Sequence, residues 1–197
     1  VLCLVINNGH ERKLQNTLNN LNDINGSGVN INLSPVVINS IIEPINGSVY
    51  EHCASGLSEL TLNLNQEISS STCDWFILLK AGETFTQSGS IVASLQLPLA
   101  KNCAAIYTDS LFESDDGISS VVLHPDFNLD LILSLPSVMT ENWIFNRETF
   151  IQLGGFSSDY PRATEFEYIT RIIEERGIGV IGHLNEPAIL REPFKLS

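Results

Sequence analysis

A short polar loop, Lys80-Ala81-Gly82-Glu83, follows an apolar run that ends at Leu79. It places a base and an acid three residues apart beside a glycine. Polar loops at the ends of buried strands are where α/β proteins commonly place binding and catalytic groups. A lysine binds anions as a point charge, and a carboxylate holds a divalent cation or takes up a proton. The loop is therefore the first candidate for a functional site.

Two further acids stand at the ends of predicted elements. Asp109 comes at the end of a predicted strand, where an acid serves as a turn or cap residue or contacts a bound ligand. Glu165 begins a predicted helix, a position at which the helix dipole stabilises a glutamate. The histidines lack the mutual spacing of a metal site. They are His10, His52, His124 and His183.

The elements that must position these residues are clearest in the first half of the chain. Short apolar segments predict strands over residues 1–7, 35–40, 74–79 and 103–109, and we expect the second, like the first, to be buried. Apolar residues at spacings of three and four predict amphipathic helices between them. The longest such stripe is Leu57, Leu60, Leu64 and Ile68. Because strands alternate with helices, we predict an α/β fold with a mainly parallel sheet flanked by helices in a single domain.

The second half mixes helix and strand signals. Residues 90–97 predict a helix, and residues 141–150 predict a strand that leads into a helix. The paired glycines, Gly154 and Gly155, predict a tight turn. The last helix is predicted over residues 163–176, and the chain after it is expected to form a strand pair or an extended segment. The expected inward-facing side chains of this helix are Phe166, Ile169 and Ile173.

The composition is that of an ordinary globular domain and excludes some partners. Of the 197 residues, 43% are hydrophobic and 17% are charged. The formal net charge of −13 argues against nucleic acid or an anionic membrane as a partner, because like charges repel. No apolar run reaches the roughly 18 residues that a membrane-spanning helix needs. The four cysteines have no zinc spacing and are expected to be reduced, as in the cytoplasm. We expect the domain to belong to a longer protein.

Five short motifs, in order along nearly the whole chain, resemble those of the family 2 glycosyltransferases, which are inverting enzymes with the GT-A fold. Residues 64–85 resemble the family's Asn-containing helix, strand and acidic loop, and "IYTDS" at 106–110 resembles its strand ending in Tyr-Ser-Asp. Residues 124–156 resemble the segment from Pro-Asp-Phe to Gly-Gly-Phe. Residues 164–172 resemble its helix with a Glu-Asp pair, and 188–192 its closing Leu-x-x-Arg.

The resemblance implies transfer of a sugar from a nucleotide-sugar donor to a saccharide or lipid-linked acceptor, in the synthesis of a surface polysaccharide. The donor half would be about residues 1–110 and the acceptor half about 111–197. Because the donor leaves a diphosphate, such enzymes hold Mg²⁺ or Mn²⁺ with carboxylates. The resemblance assigns Glu83 to this metal and Glu165 to the general base. The donor-binding residues that it implies are Asn7, Asn39, Lys80 and Asp109.

The sequence departs from the family pattern, always towards less negative charge at the site. Lys80 and Gly82 stand where family members commonly carry aspartates, so that only Glu83 keeps an acid in the loop. Lys80 either binds the diphosphate directly or is a solvated lysine. Glu165 is either the base or only a glutamate at a helix start. The asparagines at the nucleotide side still hydrogen-bond a base, but less strongly than a carboxylate would.

Two functions of different classes are compatible with these residues. The first is an inverting glycosyltransferase. The second is a catalytically inactive GT-A-like domain that binds a sugar or a partner. A nucleotide-binding regulator of the general doubly wound class is disfavoured, because the sequence has neither a Gly-x-Gly-x-x-Gly motif nor a P-loop.

Overall fold

The computed structural model describes residues 1–40, 49–113 and 119–191. The strands in these ranges are β1 (Leu2–Asn7), β2 (Ser34–Asn39), β3 (Trp75–Lys80), β4 (Thr84–Phe85), β5 (Ala105–Glu113), β6 (Ser119–Val122), β7 (Ile144–Asn146) and β8 (Ile181–Arg191). The helices are α1 (Glu11–Gly26), α2 (Val49–Ser70), α3 (Gln87–Gln96), α4 (Leu129–Ser134), α5 (Pro136–Met139), α6 (Arg147–Gln152) and α7 (Thr164–Arg176). None of the helices in the described ranges is long and apolar enough to cross a membrane.

All eight described strands belong to one sheet. Their order is β2-β1-β3-β7-β5-β8-β4, and β6 pairs with the outer part of β5. Strand β1 is parallel to β2 and β3, and β5 is parallel to β8. The short β7 runs antiparallel between β3 and β5, and β4 runs antiparallel to β8. The predicted α/β fold with a mainly parallel sheet flanked by helices is confirmed, since the antiparallel pairings are the shorter ones.

Strand β3 is covered on both faces, which explains its unbroken apolar run. Phe76 and Leu78 pack into a core layer together with residues of α2, α6 and α7. Ile77 and Leu79 pack into a second layer with residues of α1 and α3. Lys80 is the first exposed residue of the strand. The chain therefore leaves the core at Lys80, where the polar loop begins.

Strand β2 lies at the edge of the sheet, and the expectation that it is buried is wrong. Exposed side chains alternate with more covered ones along it, and only near its end is Ile38 buried. An edge strand pairs with a neighbour on one side only. Pro35, which has no backbone N–H, is therefore tolerated in it. A short apolar run does not by itself distinguish an edge strand from a central one.

Helix α7 buries a set of side chains that differs in part from the predicted one. Ile169 is buried as expected, whereas Phe166 and Ile173 are only half-buried at the margin of the core. Tyr168 and Ile172 are fully buried instead. The buried face of α7 differs from the predicted one because Tyr168 packs edge to face on an aromatic cluster. The rings that it contacts in this way are Phe145, Phe150 and Phe156.

The paired glycines form a turn that is held by an asparagine of α2. Gly154 and Gly155 have positive φ angles of 82° and 79°. Asn65 donates from Nδ2 to the Phe156 carbonyl (2.9 Å), and its Oδ1 accepts from the Phe156 N–H (2.9 Å). The predicted tight turn is confirmed. The asparagine motif and the Gly-Gly-Phe motif are thus two parts of one structural unit.

Alanine at Gly155 is expected to destabilise the protein more than alanine at Gly154. Both changes force a residue with a Cβ into the left-handed region, at a cost of about 1–2 kcal/mol. A Cβ at Gly155 would also lie 3.0 Å from Asn65 Oδ1, whereas one at Gly154 would meet nothing within 4 Å. Urea unfolding should show Gly155→Ala about 1 kcal/mol less stable than Gly154→Ala. Equal losses would mean that Asn65 moves aside without cost.

Candidate active site

Polar side chains from several elements lie at the carboxyl-terminal edge of the parallel strands. Strand β1 ends there at Asn7 and β3 at Lys80, and Asp109 lies where β5 reaches the same edge. Because β7 is antiparallel, the residues just before it, Glu141 and Asn142, also lie at this edge. Open α/β sheets bind their ligands outside this edge. The structure therefore places the predicted residues Asn7, Lys80 and Asp109 at one edge of the sheet, together with Glu141 and Asn142.

The loop from Lys80 to Glu83 is a tight turn that is held by helix α1. The Glu83 N–H donates to the Lys80 carbonyl (2.9 Å), and Gly82 has a φ of 108°, which suits glycine. The Thr17 hydroxyl accepts from the Gly82 N–H (2.9 Å) and donates to the Glu83 carbonyl (2.8 Å). The loop backbone is therefore fixed on both sides of Gly82.

The Glu83 side chain folds back into the protein. Only 5% of the residue is exposed. Its Oε2 accepts from the Lys80 backbone N–H (2.7 Å) and from Nδ2 of Asn142 (2.9 Å). Its Oε1 lies 3.5 Å from Nε of Arg191, which makes an ion pair without a hydrogen bond. One carboxylate oxygen thus accepts two hydrogen bonds within the protein, and the other faces the guanidinium of Arg191.

Lys80 and Arg191 flank a second carboxylate, that of Glu141. Lys80 Nζ lies 2.6 Å from Oε1, and the Arg191 guanidinium contacts Oε2. The Lys80 side chain is 58% exposed and that of Glu141 23%, whereas that of Arg191 is 13% exposed and lies over the Phe112 ring. Burial lowers the pKa of Arg191 from its ordinary value, and the neighbouring Glu83 opposes this shift. An arginine stays charged under such conditions.

The two asparagines predicted on the nucleotide side are hydrogen-bonded to each other. Asn7 Nδ2 donates to Asn39 Oδ1 (3.0 Å) at the ends of neighbouring strands. Asn7 is buried, and its Oδ1 accepts from the backbone N–H groups of Gly9 and His10. Asn39 is exposed. Asn39 is therefore the one of the pair that a ligand can reach, and its role in donor binding stays a prediction.

Asp109 is buried against two histidines. Its Oδ1 accepts from the backbone N–H of His124 (2.8 Å) and lies 3.1 Å from Nε2 of His183. Nδ1 of His124 lies 3.6 Å from the same oxygen, and Tyr107 stacks on His183 with 4.1 Å between ring centroids. Asp109 thus connects the segment after β6 to strands β5 and β8. Its contact with the donor stays a prediction.

Glu165, in the first turn of α7, has an unused hydrogen-bonding atom. Its Oε1 is inaccessible to solvent and has no hydrogen-bond partner, although the residue as a whole is partly exposed. Burial raises the pKa of Glu165 to about 8; the charge of Glu83 adds to the rise and that of Lys80 opposes it. The carboxyl of Glu165 is therefore within range of the charges of the polar loop. A carboxyl whose pKa lies near neutrality is suited to proton transfer.

The contacts of Glu83, the one acid of the polar loop, do not fit a divalent metal ion. A carboxylate ligand needs an oxygen directed at the ion, but both Glu83 oxygens already face N–H donors or Arg191. Lys80 adds a positive charge at a position where the family resemblance implies an aspartate. Among the described residues, no group of three or more His, Cys, Asp or Glu is arranged to hold a metal. The metal role of Glu83 stays a prediction that its contacts do not support.

Three residues of this site were missed in the sequence. Arg191 lies in residues 188–192, which resemble the family's closing Leu-x-x-Arg motif, and this was the available signal for it. Glu141 and Asn142 carried no signal of their own, because they precede a three-residue strand. They reach the polar loop because β7 is inserted between β3 and β5.

Comparison with known proteins identifies the fold. No protein-family model matches the chain, and no curated protein sequence does so significantly. Solved structures do match over nearly the whole chain, and those described next are glycosyltransferases. The chain therefore has the GT-A glycosyltransferase fold, as the motif order implied.

Three of these structures show the extent of the likeness. S. aureus TarS in complex with UDP matches with a TM-score of 0.64 at 8% identity, over 98% of this chain and 60% of that one. The mannosyltransferase PcManGT from Pyrobaculum calidifontis, in complex with GDP-Man and Mn²⁺, matches with 0.54 at 14% identity, over 98% and 57%. The catalytic domain of Drosophila β1,4-galactosyltransferase 7, in complex with xylobiose, matches with 0.54 at 12% identity, over 92% and 63%. The chain thus spans less than two thirds of each of these structures, and identities this low establish the fold alone.

Proposed function

We propose that this domain is an inverting glycosyltransferase that moves a sugar from a nucleotide-sugar donor to a hydroxyl of a saccharide or lipid-linked acceptor. The observation that carries the proposal is Glu165, a glutamate with a raised pKa and an unpartnered buried oxygen, beside the polar loop of a GT-A fold. A glutamate that only stabilised the start of α7 would keep its charge in water or on the free N–H groups of the first turn. Its carboxylate instead lies where it is easily protonated.

The donor would bind along the edge of the sheet from Asn39 to the polar loop. The exposed amide of Asn39 offers both a donor and an acceptor to a nucleotide base. Lys80 lies two strands away along the sheet and offers a positive charge to the diphosphate. The complexes of the structural neighbours with UDP and with GDP-Man support this class of donor.

In the transfer step, Glu165 takes the proton of the acceptor hydroxyl while that oxygen attacks the anomeric carbon. The new carbon–oxygen bond forms on the face opposite the diphosphate. The old bond breaks, and its electron pair leaves on the diphosphate oxygen, so that the sugar is transferred with inverted configuration. Glu83 contributes through its charge, which raises the proton affinity of Glu165.

The finer assignments belong to the same proposal. We assign the acceptor to surface polysaccharide synthesis and the domain to the cytoplasm. Free thiols at Cys3, Cys73 and Cys103 support a reducing compartment. The fourth cysteine, Cys53, lies outside the side chains that the structure describes.

One observation favours the second candidate, a catalytically inactive domain that binds a sugar or a partner. Glu83 and Asp109 are both buried, and each is partnered by other groups of the protein. A carboxylate that holds a donor through a metal must be open to that ion. Buried carboxylates that are already partnered within the protein are expected in a domain that kept the GT-A fold but lost its metal chemistry.

Calorimetry with UDP, GDP and their sugar conjugates, each in EDTA and in Mn²⁺, tests for a donor site. For one of them we expect a Kd in the range of about 1 μM to 1 mM, where enzymes commonly bind their substrates. Release of nucleoside diphosphate in the presence of acceptor sugars then separates the two candidates. Turnover supports the enzyme, and binding without turnover supports the binding domain. No binding to any nucleotide would contradict the enzyme.

A further inference from the structure

The Glu141 carboxylate occupies an anion site between two cations. One oxygen contacts Lys80 Nζ at 2.6 Å, and the other contacts the Arg191 guanidinium. Arg191 is held in position from two sides, because it lies over the Phe112 ring and faces the buried Glu83. Its buried Nε faces Glu83, and its Nη2 contacts Glu141. The guanidinium is thus preorganised, with Nε turned to the protein and Nη2 turned to the anion site.

We propose that the diphosphate of a nucleotide-sugar donor displaces the Glu141 carboxylate and binds between Lys80 and Arg191 without a divalent cation. The inference rests on the proposed function. It also names the group that binds at this site, and it assigns the role of the metal ion to the side chains of Lys80 and Arg191.

Exposure decides which of the two carboxylates is displaced. The Glu141 side chain is 23% exposed, whereas that of Glu83 is 7% exposed and accepts two hydrogen bonds. The Lys80 side chain is 58% exposed, and solvent screening weakens its pair with Glu141. Displacing Glu141 also breaks its contact with Arg191, and the diphosphate replaces both contacts, while Glu83 stays in place and keeps Arg191 oriented.

The charges at the site favour a diphosphate over a metal ion. In the structure, the charges of Lys80 and Arg191 are balanced by those of Glu83 and Glu141. When Glu141 leaves, both cations face the diphosphate in charge-assisted hydrogen bonds, and the planar guanidinium suits two phosphate oxygens at once. A divalent cation at the same place would instead be repelled by Lys80 and Arg191.

Calorimetry in EDTA tests the inference with UDP, GDP and inorganic pyrophosphate as probes. Glu141→Gln is expected to bind the diphosphates about 10-fold more tightly, because a competing negative charge is removed, and Lys80→Gln about 10-fold more weakly. Replacing EDTA by Mn²⁺ should change the wild-type Kd by less than about threefold, since no ion is required. Matched controls are Glu175→Gln and Lys101→Gln, which make the same charge changes at exposed positions away from this edge.

Arg191→Lys tests the second cation and keeps a positive charge beside the buried Glu83. We expect weaker diphosphate binding with an unchanged near-UV circular dichroism spectrum, because an ammonium does not make the paired contacts of a guanidinium. Nucleotide binding that requires Mn²⁺, or that is unchanged in Glu141→Gln, overturns the inference and leaves the proposed function intact. Pyrophosphate binding in the expected order, without binding of any nucleotide, supports the anion site and contradicts the proposed function. Failure of every probe to bind overturns both.

Discussion

Replacing Glu165 with glutamine is expected to lower the rate of sugar transfer by a factor of about 10² to 10⁴. Glutamine keeps the size and shape of the side chain but cannot take the proton of the acceptor hydroxyl. Donor affinity is expected to change by less than about threefold, because the proposed diphosphate contacts come from Lys80 and Arg191. Release of nucleoside diphosphate at saturating donor and acceptor measures the rate, and calorimetry measures the affinity.

Glu175→Gln is the control for this experiment, because it removes the same charge from an exposed position of the same helix. It should leave the rate unchanged. The wild-type rate should also rise with pH towards the Glu165 pKa of about 8, since the base acts only when it is deprotonated. The Glu165→Gln variant should lack this rise. If that variant retains the wild-type rate within a few-fold, another group accepts the proton.

The same substitution is expected to stabilise the protein at alkaline pH. The pKa of Glu165 in the folded protein is about 8, above its ordinary value of 4.5. Between these values the folded protein binds more protons at this residue than the unfolded chain does, so its stability falls as the pH rises through that window. Glutamine does not titrate and avoids this loss. The variant should therefore match the wild type near pH 5 and exceed it by about 2–4 kcal/mol near pH 8.5.

Urea unfolding of both proteins at several pH values between these limits measures the difference. The full rise of the Glu165 pKa would correspond to a stability difference larger than the expected one. We expect less because Glu165 is partly exposed, and water lowers the cost of its charge. Glu175→Gln again serves as the control, and its free energy of unfolding should change with pH as that of the wild type does. Parallel curves for Glu165→Gln would show that its carboxylate is well solvated, and the proposed base would lose its main support.

The central strands could be predicted from the sequence because their environment is uniform. Strand β3 is covered by core residues on both faces, so nearly every position along it is apolar and the pattern is unbroken. The edge strand β2 has a similar composition but a different environment. Its place at the edge of the sheet depends on which strands pair with β1, and the sequence of residues 34–39 does not determine this pairing.

The residues of the site also divide into those that the sequence indicated and those that it did not. Lys80 and Glu83 could be found because a polar loop must follow where a buried strand ends, and the motif order pointed to Glu165. Glu141 had no such signal, and Arg191 was not assigned although it lies in the segment that resembles the closing motif. Lys80 and Glu141 are 61 residues apart, and they meet because β7 enters the sheet antiparallel next to β3.

By itself, the sequence determined the apolar runs that become strands, the loop at the end of β3 and the types of its charged residues. Only the tertiary structure decided what those charges do. Whether Glu83 faces a metal ion or an arginine depends on the course of β8, which carries Arg191 to the loop. The physical reason is that the proton affinity and the binding partner of a carboxylate are set by its burial and by neighbouring charges, and here these come from distant segments of the chain.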